Sequence, residues 1–204
     1  MWKSLKTLPP NYVERARFSL QSRGTLLIMN LIGLGLVLVS VWLFTALALY
    51  LRPEAEEILF VVSLEGAGAL LSLLGLLLII AVTLVLHEAV HGLGFWLLAG
   101  AKPHFAFRGT YAYAAAPGWY IPKEIYFWIG IAPLVVISLL AAGLIAVVPV
   151  GALNAVILAG VINFSGAVGD LWVALMLLRA PKGSLALDQG DEMILYAPAP
   201  SIAG

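Results

Sequence analysis

The chain has 204 residues, of which 62% are hydrophobic and 11% charged, and its mean hydropathy is +1.03. Soluble domains carry roughly 25% charged residues, so this composition indicates a membrane protein. The formal net charge is zero and there is no cysteine. These features argue against a charge-driven nucleic-acid binder and exclude both disulfides and thiol catalysis.

Four segments are long and apolar enough to cross a hydrocarbon core about 30 Å thick, which takes about 20 helical residues. They are residues 25–51, 66–99, 125–148 and 152–178. The third contains Pro133, which predicts a kink. We therefore expect one all-α integral membrane domain over residues 1–204. It would consist of a cytoplasmic leader (1–24), a core of about four transmembrane helices (25–178) and a cytoplasmic tail (179–204).

The lysines and arginines predict the topology of this membrane domain. Ten of them flank one side of the predicted spans, whereas the loop after the first span has only Arg52. The ten are Lys3, Lys6, Arg15, Arg17, Arg23, Lys102, Arg108, Lys123, Arg179 and Lys182. Because loops rich in basic residues stay in the cytoplasm, we expect both termini there. We also expect residues 11–23 to form a basic interfacial helix and the acidic tail to be solvated.

The loop after the second span has an alternating pattern. In residues 105–113, aromatic side chains occupy alternate positions around Gly109, a period of two that suits strands. An interfacial loop with aromatic side chains at headgroup level explains the pattern equally well. If a short hairpin forms, its strand could bind an unwound substrate by main-chain pairing.

The second span carries the motif His87-Glu88-Ala89-Val90-His91. Helical residues four apart project from the same face, so both imidazoles can bind one metal ion. Glu88 can then accept a proton from water that the metal activates. The alternative, a coincidental match, leaves three costly polar groups at membrane depth without a reason.

Two residues of the fourth span complete the predicted site. Asp170 lies about as far from its helix end as His91 does from its own, so it is the expected third zinc ligand. Asn163 lies about two turns earlier and could donate a hydrogen bond to an oxyanion. The alternatives are a buried acid bonded to a neighbouring helix for Asp170 and helix–helix contact for Asn163. His104, in the following loop, is a competing third ligand.

These residues together resemble the site-2 protease class of intramembrane metalloproteases, which pairs a helical zinc motif with an aspartate in an Asn-containing segment. The wider pattern is similar to a bacterial family of small membrane proteins described as "putative zincin" peptidases. The similarity rests on the phrases His87-Glu88-Ala89-Val90-His91-Gly92, Ala132-Pro133, Asn163-Phe164-Ser165-Gly166 and Gly169-Asp170-Leu171. The chain lacks the proline between Asn and Asp and the glycine after Asp that site-2 proteases usually show.

The sequence thus predicts an intramembrane zinc metallopeptidase of the HExxH type, acting on membrane proteins or peptides. Zn²⁺ would be held by His87, His91 and Asp170, with Glu88 as general base and Asn163 as oxyanion donor. A zinc-binding membrane transporter or sensor, or an inactive scaffold with a protease fold, are the alternatives. Neither of them requires a glutamate beside the first histidine.

Overall fold

The structure, a computed structural model, describes residues 4–19, 23–56, 66–107, 109 and 112–199, and it is mainly helical. The five helices among these residues are α1 (Arg23–Leu51), α2 (Gly66–Leu97), α3 (Lys123–Val147), α4 (Leu153–Gly166) and α5 (Val168–Arg179). The strands are β1 (Tyr12–Ser19), β2 (His104–Phe107), β3 (Ala112–Ala115), β4 (Tyr120–Pro122), β5 (Leu185–Asp188) and β6 (Glu192–Pro198). Short 3₁₀ turns at Pro53–Ala55 and Val150–Ala152 follow α1 and precede α4.

Three of the helices, α1, α2 and α3, are long and apolar enough to cross a membrane, and α4 with α5 makes a fourth if the pair is one span. This agrees with the four predicted segments, except that the last one is bent by 42°. α4 ends at Gly166, just before the bend. In its last turn Ser165 Oγ donates to Val161 O at 2.7 Å, a type of side-chain bond that often bends helices.

A four-stranded antiparallel sheet of order β1-β6-β5-β4 corrects the all-α prediction. The leader, expected as an interfacial helix, instead supplies β1, and the tail, expected to be solvated, supplies β5 and β6. The reason is long-range pairing. Tyr12 pairs with Pro198 and Ser19 with Glu192, so each segment satisfies its backbone groups through a partner far away in the chain.

The predicted hairpin is present. β2 pairs with β3 in antiparallel register, from His104 opposite Ala115 to Phe107 opposite Ala112. Arg108, Thr110 and Tyr111 lie outside the described residues. Among the described residues of this loop, the strand interpretation of the alternating pattern is therefore confirmed.

Contacts between Cα atoms divide the chain into two compact units. The first comprises Met1–Asn30, Glu88–Ala132 and Gly169–Gly204, and its core is apolar, with Phe95, Ile121, Ile129 and Leu177 almost fully buried. The second comprises Leu31–His87 and Pro133–Val168, with a core around Phe44, Ile145, Leu153 and Ile157. All four boundaries fall inside helices: they separate residues 30 and 31 of α1, 87 and 88 of α2, 132 and 133 of α3, and 168 and 169 of α5.

The last residue of β5, Asp188, is buried rather than solvated. Its carboxylate accepts hydrogen bonds from Tyr126 Oη at 2.7 Å and from the Gly190 backbone N–H at 2.8 Å. Burial raises the pKa of Asp188 from 3.8 to about 6, although both hydrogen bonds lower it. The folded protein therefore binds a proton at Asp188 more tightly than the unfolded chain does.

This raised pKa predicts how stability depends on pH. Protonated Asp188 stabilises the folded state, and this stabilisation is complete below about pH 4. It is lost as the pH rises through about 6, which lowers the free energy of unfolding by about 3 kcal/mol. Asp188→Asn keeps the shape but cannot ionise. In metal-free protein, the melting temperature of the variant minus that of wild type should therefore be larger at about pH 7.5 than at about pH 4.5. An equal difference at both pH values would contradict a buried Asp188 carboxyl with a raised pKa.

Candidate metal centre

The imidazole of His91 is held by a backbone carbonyl. His91 is 8% exposed, and its Nδ1 lies 3.0 Å from Ile129 O of α3. A carbonyl oxygen can only accept, so Nδ1 must carry the proton. In the neutral ring the lone pair is then on Nε2, the atom that a metal would bind.

Asp170, in the first turn of α5, lies beside that same Nε2. The distance from His91 Nε2 to Asp170 Oδ1 is 3.4 Å. A direct charge-assisted hydrogen bond would be about 2.7–2.9 Å long. Two ligand atoms about 2.0–2.2 Å from a tetrahedral zinc are separated by roughly 3.3–3.6 Å. At 3.4 Å the two side chains form an ion pair if His91 is protonated, and the same spacing fits two ligands of one metal.

His87, one turn earlier on α2, is held in the same manner by a side chain. Its Nδ1 lies 3.0 Å from Asn163 Oδ1 of α4. Asn163 is 1% exposed, and its Nδ2 donates to Pro133 O at 3.3 Å and to Ser138 Oγ at 3.5 Å. These acceptors fix the amide so that its oxygen faces His87, which again puts the ring proton on Nδ1.

His87, His91 and Asp170 each offer a ligand atom, and the three atoms lie within 4.8 Å of one another. Two neutral imidazoles with the lone pair on Nε2 and one carboxylate form a donor set that zinc accepts, with a fourth position left for water or substrate. The residues present therefore fit a zinc ion. His104, the competing third ligand, is exposed at the start of β2 and is not part of this cluster.

The predicted base, Glu88, is oriented by the hairpin. Its Oε2 accepts a hydrogen bond of 2.6 Å from the backbone N–H of Ala114 in β3. Glu88 is only half-buried, and it follows His87 directly on α2. The bond to β3 keeps one carboxylate oxygen in a fixed position beside the ligand helix.

Glycines after the motif let neighbouring elements approach α2. A Cβ at Gly92 would overlap the ring of Phe105 in β2, and one at Gly94 would lie 3.2 Å from Ile129 Cγ1. The close approach at Gly94 is on the part of α3 whose carbonyl binds His91. Sequence reasoning did not identify Ile129, because a backbone carbonyl has no side-chain signature. The available signal was Pro133, four residues later.

A comparison with protein families assigns the chain to a family. The profile of a family described as "putative zincin peptidase" matches residues 80–185, just over half of the chain. The matched region contains the motif on α2, Asn163 and Asp170. Searches of curated proteins and of solved structures returned no significant match, so the resemblance to the site-2 protease class stays a prediction. The chain belongs to the "putative zincin peptidase" family.

Proposed function

We propose that this protein is an intramembrane zinc metallopeptidase that hydrolyses peptide bonds of membrane-associated substrates. The observation that carries the proposal is the convergence of His87, His91 and Asp170, with both imidazoles fixed through Nδ1 and Glu88 beside them. The family match supports peptidase chemistry and zinc as the metal.

Side-chain exposure along the helices supports the membrane location. Large apolar side chains on α1 and α2 are exposed in the structure, among them Leu38 at 68%, Trp42 at 71% and Leu71 at 68%. Water-soluble proteins rarely expose contiguous apolar surfaces of this extent, whereas lipid covers them without cost. With the basic residues on one side of the spans, the topology we propose is multi-pass, with both termini in the cytoplasm.

The proposed mechanism assigns each side chain a separate task. Zinc held by His87, His91 and Asp170 would supply a Lewis acid that activates water and polarises the scissile carbonyl. Glu88 accepts the proton of the attacking water at its carboxylate and then donates it to the leaving nitrogen. The hydrogen bond from the Ala114 N–H to Glu88 Oε2 would hold this carboxylate in position for both transfers. Hydrogen bonds at Nδ1 keep the two imidazoles aimed at the metal.

The role of Asn163 as oxyanion donor stays a prediction, and its contacts favour a different role. Its amide oxygen binds His87, and its amide nitrogen donates to Pro133 O and Ser138 Oγ. A side chain engaged at both ends supports the orientation of His87. We therefore propose Asn163 as a positioning residue for the metal ligand.

Metal content is the first test of the proposed ligands. Purified wild-type protein should contain about one zinc per chain, and His87→Ala, His91→Ala and Asp170→Ala should each lose it or bind it much more weakly. His104→Ala is the matched control, because His104 is an exposed histidine outside the cluster. Zinc that is fully retained in Asp170→Ala but lost in His104→Ala would replace Asp170 by His104 as third ligand.

Glu88→Gln separates chemistry from metal binding. The substitution keeps size and polarity but removes the base, so zinc should remain while hydrolysis of a membrane-protein or peptide substrate falls by at least about 10²-fold. Cleavage at the wild-type rate would exclude Glu88 as the base. If the wild type cleaves nothing and instead carries zinc into vesicles, the protein is a transporter. A wild type with neither activity would favour the scaffold alternative.

The proposed substrate-binding strand is β3, through the edge that faces away from β2. Ala114 donates its N–H to Glu88 and not to β2, so the N–H of Ala112, two residues earlier, points to the same edge. A substrate segment paired there would lie next to the proposed base.

Ala112→Pro should impair this pairing. Proline removes the outward N–H without removing a hydrogen bond to β2, so cleavage should fall sharply while zinc content stays normal. Ala112→Thr, which keeps the N–H and suits a strand, should cleave at close to the wild-type rate. Unchanged cleavage in Ala112→Pro would leave the hairpin as an interfacial connector.

A further inference from the structure

Pro133 lies in the interior of α3, where proline is costly. In a regular helix, the carbonyl of residue 129 would accept the N–H of residue 133. Proline has no N–H, and its ring clashes with the carbonyl four residues earlier, which it pushes away from the helix axis. The Ile129 carbonyl is therefore the one whose helical bond Pro133 removes.

That carbonyl binds the second histidine of the motif. The distance from His91 Nδ1 to Ile129 O is 3.0 Å, and both residues are buried. Gly94, one turn after His91 on α2, lets α3 come close, because an added Cβ would lie 3.5 Å from Ile129 Cα. Ile129 O, which Pro133 leaves without its helical donor, thus accepts a hydrogen bond from His91 of α2 instead.

The carbonyl of Pro133 itself serves the first histidine of the motif. Pro133 O accepts a hydrogen bond from Asn163 Nδ2 at 3.3 Å, and Asn163 Oδ1 in turn lies 3.0 Å from His87 Nδ1. One turn of α3, from Ile129 to Pro133, therefore provides an acceptor toward each imidazole. The contact to His91 is direct, and the contact to His87 passes through one amide.

We propose that Pro133 is a positioning residue for the metal centre: by leaving the Ile129 carbonyl without a helical donor, it makes that carbonyl the acceptor for His91 Nδ1–H. The inference rests on the proposed function, in which Nε2 of His91 binds zinc. Without Pro133, a backbone N–H at residue 133 would compete for Ile129 O and draw it back toward the helix axis. The imidazole would then lose the bond that fixes its tautomer and its orientation.

If Pro133 only kinked the membrane helix, a different result would be expected. Two variants of residue 133 that differ in one backbone atom separate the two roles. Pro133→Ala introduces the competing N–H. Replacement of residue 133 by lactic acid, the ester analogue of alanine, gives the same methyl side chain but has oxygen in place of the N–H. Both variants lack the ring and its kink. The ester alone keeps the Ile129 carbonyl without a helical donor.

The experiment compares the zinc dissociation constants of wild type, Pro133→Ala and the ester variant. Full-length protein in detergent micelles is titrated in competition with a chelator. Pro133→Ala should bind zinc about 10- to 100-fold more weakly, the range for loss of an outer hydrogen bond to a metal ligand, whereas the ester should stay close to wild type. Pro149→Ala, outside the helices and near neither histidine, is the control that should leave affinity unchanged. Equal affinity of Pro133→Ala and wild type would overturn the inference, as would equal weakening of both variants.

A second readout needs no metal. The chain contains three histidines, so ¹⁵N-histidine labelling gives a simple spectrum in metal-free protein. Wild type and the ester should show a hydrogen-bonded proton on Nδ1 of His91, and Pro133→Ala should lose that hydrogen bond. If wild type binds no zinc, the proposed function fails, and these nitrogen signals alone then decide the inference. An unchanged His91 signal in Pro133→Ala would overturn it.

Discussion

Two hydrogen bonds from imidazole Nδ1 atoms to carbonyl oxygens are the constraint on which the candidate site depends. An apolar helix with two histidines has no intrinsic reason to aim both Nε2 atoms at one point. The bonds of His91 to Ile129 O and of His87 to Asn163 Oδ1 fix the tautomers, and the four-residue spacing on α2 fixes the common face. Asp170 then needs only to reach the vicinity of His91, which the 3.4 Å distance shows that it does.

The small sheet and the hairpin connect to this site through Glu88. Asp188 accepts the N–H of Gly190, a residue with φ of +91°, and a Cβ there would overlap the ring of Tyr113. Tyr113 precedes Ala114, whose N–H binds Glu88. The turn between β5 and β6, strand β3 and the proposed base therefore form a continuous series of contacts. The terminal strands of the chain thereby contribute to the position of a side chain on α2.

Much of this arrangement follows from local patterns in the sequence. Helical spacing predicts that His87 and His91 share a face, apolar length predicts the spans, and comparable depth brings Asp170 to the level of His91. The strand alternation of residues 105–113 also predicts the hairpin. The remainder depends on partners distant in sequence. β1 is a strand because β6, more than 170 residues later, pairs with it. A segment such as residues 12–19 does not encode its partner, so the sequence predicts a surface helix and a solvated tail where the structure has paired strands.

The contacts of the proposed metal ligands also depend on partners that are distant in sequence. Pro133 is visible in the sequence as a kink, yet its relation to His91 appears only when Ile129 O is placed 3.0 Å from Nδ1. The amide of Asn163 is visible as a polar group at depth, but the structure turns it toward His87 and Pro133. Residue type predicts that such groups need partners, and only the packing of α2, α3 and α4 says which partners they have.

X-ray absorption spectroscopy of the zinc-loaded protein tests the central claim most directly. The account predicts four-coordinate zinc with two imidazole nitrogens at about 2.0–2.1 Å and oxygen donors at about 2.0–2.2 Å, from Asp170 and a water or substrate atom. A shell with three imidazoles, or an all-oxygen six-coordinate shell, would contradict the centre formed by His87, His91 and Asp170.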